Sequence, residues 1–138
     1  MKIEKTKLTE ELEELMEEEY AKEEKKHNVF CNYTPFCFIA SEDNNTLGII
    51  AGYTAYEEVY IDDLIVIDKY RGRDIGTKLV TQVEDFYRGK GFNNINLCTN
   101  GFQAPKFYEK CGYQLEFIRK NKNNPKLDKY FYVKFYEW

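Results

Sequence analysis

The hydrophobic pattern begins as a helix and continues as short strands. Between Thr9 and Lys26, apolar residues recur at helical spacing through a strongly acidic stretch, which predicts an amphipathic helix with a solvated outer face. The following apolar runs are short and bounded by turn residues, so three strands are predicted, at Phe36 to Ser41, Leu47 to Tyr56 and Val59 to Ile67. The links "EDNNT" and Glu57–Glu58 are short enough for an antiparallel meander, and Gly52 marks a candidate bulge.

After Ile67 the pattern alternates between helices and strands. Apolar residues at i, i+4, i+8 and i+11 predict a helix from Ile75 to Lys90, which Gly89 and Gly91 would end. The segment "APKFYEKCG" has proline in a first turn and glycine just past the end, which is typical of a second helix. The remaining strands are predicted at Asn94 to Thr99, Tyr113 to Arg119 and Lys129 to Glu137.

This order of elements predicts the topology. A strand, a helix and a second strand form a right-handed crossover, so Val59–Ile67 and Asn94–Thr99 should be parallel neighbours. The other strands should be antiparallel. We therefore expect an α/β fold, with a mixed, mostly antiparallel sheet and helices on both faces, in a single domain over residues 1–138.

Composition narrows the function classes. The net charge of −4 disfavours nucleic acid or an anionic membrane as a partner, and no segment has the length of a membrane span. Four cysteines without a CxxC pair and one histidine, His27, make a metal site improbable. With no signal peptide visible, we expect a cytoplasmic protein with reduced thiols, in which Cys98 and Cys111 are small core residues.

The segment "YRGRDIGTKL" (Tyr70 to Leu79) has the properties of an anion site. It joins a strand to a helix, and the first amides of a helix have no partner and carry partial positive charge. Glycines let the backbone approach a phosphate, and Arg71 and Arg73 add positive charge. The spacing matches neither a Walker loop nor GxGxxG.

Three stretches together resemble the GNAT family of acetyl-CoA-dependent N-acetyltransferases. Residues 71–76, "RGRDIG", resemble the family's pyrophosphate signature [Q/R]-x-x-G-x-[G/A], with Asp74 in place of the middle glycine. "YIDDLIV" resembles its fourth strand, and "APKFYEKCGY" resembles its A-x-x-x-Y-x-K-x-G-[F/Y] helix. The resemblance implies a GNAT-like acyl-CoA N-acyltransferase fold that transfers acetyl from acetyl-CoA, without a metal, to a small-molecule or peptide amine in one ternary complex.

The resemblance also implies the site residues. Tyr108 would protonate the leaving thiolate. The backbone of the fourth strand would pair with the pantetheine arm and hold the oxyanion, at Leu64, Ile65 and Val66. The pyrophosphate would lie on the loop and first helical turn formed by Arg71, Gly72, Arg73, Asp74, Ile75, Gly76 and Thr77. Phe107 and Lys110 match positions near the thiol arm and the 3′-phosphate.

A base must remove the proton of the acceptor amine, and Asp62 matches an acidic residue that some relatives use. Strand alternation predicts Tyr60, Asp62 and Leu64 on one face and Asp63 on the other. The sequence does not say which face meets the cleft, so Asp63 or water stays an alternative. Asp62 could instead hold a cationic substrate without proton transfer.

Departures from the family pattern keep other functions open. Asp74 either caps the helix with its side chain turned away or repels the phosphates. Gly101 stands where relatives often have Asn, and Leu127 and Asp128 replace a Gly-His pair. A CoA-binding sensor with little turnover is therefore the alternative function, an RNA-binding domain is disfavoured by the acidic balance, and the aromatic last strand is a candidate homodimer surface.

Overall fold

The computed structural model describes residues 1–137, which divide into two units, Met1–Cys31 and residues 32–137. The first unit contains α1, Glu10–His27. The Thr9 hydroxyl caps it by accepting the Leu12 N–H at 3.3 Å, and Asn28 ends it in the left-handed conformation (φ 53°). The predicted acidic helix is therefore confirmed, one residue later at each end.

The second unit is built on a six-stranded sheet in the order β1-β2-β3-β4-β6-β5. Only β3 and β4 are parallel, and every other neighbouring pair is antiparallel, which confirms the predicted mixed sheet. The strands are β1 (Thr34–Glu42), β2 (Asn45–Ala55), β3 (Glu58–Val66), β4 (Asn94–Asn100), β5 (Gln114–Arg119) and β6 (Lys129–Phe135).

Two tight turns connect the first three strands. Asp43 and Asn44 (φ 51° and 65°) join β1 to β2, and Tyr56 and Glu57 (φ 49° and 68°) join β2 to β3. Two successive residues with positive φ form the turn whose twist matches a hairpin. The second turn was predicted at Glu57–Glu58, one residue too late, because Glu58 already pairs with Ala55.

Helix α2 (Ile75–Tyr87) connects the two parallel strands. It ends three residues before the predicted Lys90, since Arg88 leaves the helical conformation (φ −61°, ψ 133°). The apolar stripe predicted from the sequence is buried except for Phe86, which is 45% exposed. A five-residue helix, α3 (Lys106–Lys110), follows β4, and Gly112 (φ 91°) turns the chain out of it.

One hydrophobic cluster joins these helices to the sheet. It contains the buried face of α2, Tyr108 of α3, and side chains of β2, β3, β4 and β6, among them the fully buried Ile50, Val59 and Tyr132. The cluster fixes α2 and α3 on the sheet beside the junction of β3 and β4. No helix among residues 1–137 is long and apolar enough to cross a bilayer.

Candidate active site

A groove opens where the two parallel strands stop pairing. The β3–β4 ladder runs from Glu58 opposite Asn94 to Ile61 opposite Leu97 and ends there. Beyond it, β3 continues with β2 alone and β4 with β6 alone. The strands diverge around a cavity of about 1210 Å³. One backbone edge of β3 therefore faces the cavity.

A β-bulge lies at the point of divergence. On β2, Ala51 and Gly52 are consecutive, but their partners on β3 are Asp63 and Ile61, so Asp62 is an extra residue. The extra residue interrupts the predicted alternation of Tyr60, Asp62 and Leu64 at this point. Asp62 and Asp63 both line the groove.

The bulge requires glycine at position 52. A Cβ atom there would lie 1.9 Å from the backbone oxygen of Tyr60. No side chain fits so close to a carbonyl, so Gly52 permits the approach of the two strands. The predicted bulge at Gly52 is confirmed, although its extra residue lies on the neighbouring strand.

The register of β3 decides which of its amides face the groove. The Ile67 N–H donates to the Leu47 carbonyl at 2.9 Å, and hydrogen-bonded and non-bonded pairs alternate along an antiparallel ladder. Leu64 and Val66 therefore direct their backbone groups away from β2, whereas Ile65 directs its own toward β2. The Val66 carbonyl accepts a hydrogen bond from Arg71 Nε at 3.2 Å, in agreement with this orientation.

The loop before α2 presents a run of amides to the same groove. Within residues 1–137, the backbone N–H groups from Gly72 to Thr77 have no recorded acceptor. The Lys78 N–H is the first to be used, donating to the Asp74 carbonyl at 3.0 Å. Free amides at the start of a 13-residue helix favour an anion.

Asp74 is the residue immediately before α2, and its backbone is left-handed (φ 59°). Its side chain makes no capping hydrogen bond, so the expectation that it caps the helix is wrong. Glycine adopts this conformation freely, and aspartate is among the few other residues that tolerate it. The substitution therefore keeps the shape of the loop and adds a carboxylate that lines the groove.

The two arginines of the loop have partners within the protein. Arg73 Nη2 lies 2.8 Å from Glu42 Oε2, an exposed ion pair that lowers the pKa of the Glu42 carboxyl and raises that of Arg73. Arg71 Nη1 lies 3.1 Å from Asp68 Oδ1. Arg71 lines the groove, but Arg73 does not.

The other predicted site residues all line this groove. They are Asp62, Leu64, Ile65, Val66, Gly72, Asp74, Ile75, Gly76, Thr77, Phe107, Tyr108 and Lys110. Phe107 packs on the first turn of α2, where a Cβ at Gly76 would lie 3.2 Å from its ring. This contact brings α3 next to the free amides.

Tyr108 is 8% exposed, and its hydroxyl makes no recorded hydrogen bond among residues 1–137. Burial, with a smaller contribution from Cys111, raises the pKa of Tyr108 to about 12. The phenol is therefore a neutral hydrogen-bond donor throughout the physiological range.

Asp62 and Asp63 are exposed carboxylates at the bulge. Partial burial, and then repulsion from Asp63, raises the pKa of Asp62 above its usual value. Neither carboxylate has an ion pair or a hydrogen bond within the described residues 1–137. The groove therefore offers two acceptors of positive charge at this end.

Some lining residues were missed from the sequence. Cys98, Thr99, Phe102 and Gln103 extend from the end of β4 into the groove. Cys98 is exposed, so the expectation of a core residue is wrong; Cys111 is partly buried and its side chain contacts that of Thr77. Ligands of open sheets bind beyond the carboxyl ends of parallel strands, and that rule is the signal which could have identified this segment.

The departures at Gly101 and Asp128 have a structural cause. A Cβ at Gly101 would lie 3.1 Å from the Pro125 carbonyl oxygen, so a side chain there would press against the loop of residues 121–127. Asp128 is buried, and its carboxylate accepts the Asn121 N–H at 2.7 Å. Both residues hold this loop beside the end of β4. Among residues 1–137, no three histidine, cysteine or acidic side chains are grouped as metal ligands.

Comparison with known proteins agrees with this geometry. The model of the Acetyltransferase (GNAT) family matches residues 5–113. An acetyltransferase of Agrobacterium fabrum is 31% identical over 75 residues, which are 54% of this chain and 55% of the relative. The probable N-acetyltransferase camello of Xenopus tropicalis is 34% identical over 84 residues, 56% of this chain and 38% of the relative. The matches thus cover about half or less of these curated relatives.

Solved structures extend the likeness to the whole fold. A Bacillus cereus acetyltransferase superposes with a TM-score of 0.82 at 22% identity, over 98% of this chain and 97% of its own. A Bacillus anthracis protein solved in complex with acetyl coenzyme A has a TM-score of 0.66 at 25% identity, over 75% of this chain and 63% of its own. The resemblance carried by the three sequence motifs is confirmed, and the chain belongs to the Acetyltransferase (GNAT) family.

Proposed function

We propose that this chain is an acetyl-CoA-dependent N-acetyltransferase that moves the acetyl group to a primary amine by direct attack in a ternary complex. The observation that carries the proposal is the continuity of the groove. It joins the free amides before α2, the unpaired edge of β3 and the Tyr108 side chain. The diphosphate of acetyl-CoA needs an anion site, and its amide-bearing arm needs a strand-like edge. Its thioester needs a hydrogen-bond donor.

The backbone would supply most of the cofactor binding. The diphosphate would lie on the amides of residues 72–77, with positive charge from Arg71, and Lys110 would lie on the side of the 3′-phosphate. The pantetheine arm would pair with Leu64 and Val66 as an added strand, in the position that β4 leaves. This arrangement explains why β3 stops pairing with β4 while its own strand geometry continues.

The acceptor amine must be neutral before it attacks. An alkyl amine has a pKa of about 10.4, so deprotonation at pH 7 costs about 4–5 kcal/mol. Asp62, directly or through a water molecule, is the proposed base, because the rise in its pKa makes the carboxylate a better proton acceptor. Asp63 lines the same end of the groove and is the alternative base.

The proposed bond changes are those of direct attack. The amine lone pair forms a bond to the thioester carbon, and the carbonyl electrons move to oxygen. The Leu64 N–H of β3 would stabilise this oxyanion, while the Leu64 carbonyl and the Val66 N–H pair with the arm. Its collapse restores the carbonyl and breaks the carbon–sulfur bond, the attacking nitrogen gives its extra proton to water, and the sulfur leaves as a thiolate beside the Tyr108 hydroxyl.

Tyr108 would act mainly by donating a hydrogen bond while the sulfur gains charge. With a phenol pKa of about 12 and a thiol pKa of about 8.5, complete proton transfer to a solvated thiolate is uphill by about 5 kcal/mol. A thiolate forming inside a poorly hydrated groove is more basic than this, since burial disfavours its charge. The donor therefore matters most while the bond breaks.

The acceptor is proposed to be a small-molecule or peptide amine that carries positive charge. Asp62 and Asp63 form the negative end of the groove, and no positive side chain is ion-paired with either within residues 1–137. A cationic acceptor would be attracted to this end before it loses its proton.

A second function is favoured by one observation. Asp74 places a carboxylate where the diphosphate would bind, which would weaken CoA binding by charge repulsion. The alternative function is a CoA-binding sensor on the same fold with little turnover, which this departure from the family signature favours.

The test is incubation of the protein with acetyl-CoA and a panel of polyamines, aminoglycosides and amino-acid amides, with detection of free thiol and of the acetylated product by mass. We expect amine-dependent thiol release. Thermal stabilisation by CoA without acetylation of any amine would favour the sensor, and the absence of any CoA effect would contradict both functions.

A further inference from the structure

The orientation of Tyr108 depends on its surroundings. Its hydroxyl makes no recorded hydrogen bond among residues 1–137, so no bond at that atom fixes its direction. The helix that carries it has five residues, too few to be stable without tertiary contacts. The neighbours of α3 therefore determine where the hydroxyl points.

Two buried tyrosine rings flank Tyr108. The Tyr113 ring lies 6.0 Å from it, centroid to centroid, and the Tyr132 ring lies 5.9 Å from it. Tyr113 is 3% exposed and Tyr132 is fully buried. Each of these rings has its own hydroxyl bonded to a carboxylate, so neither ring rotates freely.

The two carboxylates differ in the element that they anchor. Tyr113 donates to Glu84 Oε2 of α2 at 3.0 Å, and Lys134 Nζ also lies 3.2 Å from that oxygen. Tyr132 donates to Glu109 Oε2 at 3.0 Å, and Glu109 is the residue that follows Tyr108 in α3. Only the second bond is made to the short helix itself.

The position of Tyr132 connects α3 with the start of the groove. In β6 it pairs with Leu97, which occupies the last rung of the β3–β4 ladder. One end of this tyrosine therefore packs where the strands diverge, and the other end holds the helix of the proposed donor.

We propose that Tyr132 and Glu109 are a pair of positioning residues that hold α3 so that the Tyr108 hydroxyl faces the thioester. The inference rests on the proposed acetyl transfer and adds to it the residues that orient the donor. Displacement of a reacting group by 1 Å can reduce a rate by about 10²-fold, so loss of one such bond should be visible in kcat.

The first test compares substitutions that keep the packing. Tyr132→Phe keeps the ring and removes the bond, and we expect kcat to fall by roughly 5- to 20-fold with KM for acetyl-CoA within about twofold. Glu109→Ala should have the same effect, whereas Glu109→Gln keeps an acceptor oxygen and should retain most of kcat. Tyr113→Phe is the matched control, since it removes an equivalent hydroxyl bonded to α2, and its kcat should change by less than about twofold.

A double substitution separates positioning from general destabilisation. In a Tyr108→Phe background, Tyr132→Phe should cause no further loss of kcat, because the group that it positions is gone. An equal further loss would overturn the inference.

A measurement without turnover keeps this test independent of the proposed function. In protein labelled with 3-fluorotyrosine, the fluorine NMR signal of Tyr108 is assigned by its disappearance in Tyr108→Phe. That signal should shift in Tyr132→Phe and in Glu109→Ala, and stay in place in Glu109→Gln. If no amine is acetylated, the proposed function fails while the NMR result stands; an unmoved Tyr108 signal in both Tyr132→Phe and Glu109→Ala contradicts the positioning pair.

Discussion

The two ends of the groove present different chemical groups, backbone amides at one end and side chains at the other. At the α2 end, the binding groups are backbone amides, and the arginine side chains are bonded elsewhere, Arg73 to Glu42 and Arg71 to Asp68. At the bulge end, the proposed reactive groups are the side chains of Asp62 and Tyr108, which line the groove. Backbone geometry serves one end, and side-chain chemistry serves the other.

This difference explains why the loop before α2 can depart from the family's pyrophosphate signature at Asp74. A site made of amides depends on the conformation of the loop, so it accepts Asp74 as long as the left-handed backbone is kept. A site made of side chains has no such freedom, because the pKa and position of one atom decide the chemistry. Changes at the α2 end should therefore alter CoA affinity, and changes at the bulge end should alter turnover.

The largest effect is expected at the side-chain end. Tyr108→Phe removes the proposed donor and should lower kcat by about 10²–10³, the usual cost of losing one hydrogen-bond donor to a developing negative charge. The dissociation constant of CoA, measured by calorimetry, should change by less than about threefold, because the amides are untouched. A fall in kcat below about fivefold would show that the leaving sulfur needs no donor here.

A smaller effect on turnover, together with a loss of stability, is expected at the bulge, because the backbone there positions the side chain of Asp62. Gly52→Ala places a Cβ 1.9 Å from the Tyr60 carbonyl oxygen, so one strand must shift. We expect the free energy of unfolding, measured in urea, to fall by about 2–4 kcal/mol, together with a loss of turnover.

Gly48→Ala is the matched control in the same strand. Its Cβ would meet side-chain atoms of Ile75 and Leu79 at 3.0 Å and a backbone oxygen at 3.1 Å, which is tight but does not force the strand to move by a full ångström. Equal destabilisation by the two substitutions would contradict the role given to the bulge.

At the α2 end, a substitution should increase the affinity for CoA. Asp74→Gly should relieve the left-handed backbone and remove a charge beside the diphosphate, so CoA should bind about 3- to 10-fold more tightly with kcat unchanged. Asp74→Asn removes only the charge. Asp43→Gly, at a left-handed position in a turn that does not line the groove, tests the backbone contribution to stability alone. Weaker CoA binding by Asp74→Asn would show that the carboxylate assists the site.

The sequence predicted the α2 end better than the bulge end, for a physical reason. The loop and the α3 motif are local patterns, so their residues could be assigned before the structure. The bulge depends on the pairing of Gly52 with Ile61 and on its close approach to the Tyr60 carbonyl, and the extra residue, Asp62, looks like an ordinary strand position in the sequence. The partner of Arg73 lies 31 residues away, and no local pattern identifies it.

The smallest effect concerns the acid–base balance at the bulge. Partial burial and then repulsion from Asp63 raise the pKa of Asp62. Asp62 therefore keeps its proton to a higher pH than an ordinary aspartate. It loses its capacity as a base as the pH falls through this raised pKa. Asp63→Asn should lower the pKa of Asp62 only part of the way, since burial is the larger cause. Carboxyl carbon NMR, assigned with Asp62→Asn, measures this directly, and Asp68→Asn, a distant exposed acid paired with Arg71, is the control.

The same variant decides between the two candidate bases. If Asp62 is the base, Asp63→Asn keeps turnover, and the acid limb of kcat/KM moves to lower pH by the shift seen in the NMR titration. If Asp63 is the base, the variant loses turnover although the pKa of Asp62 still falls. In either case CoA affinity should be unchanged, because the proposed diphosphate site is made of α2 amides that neither aspartate contacts.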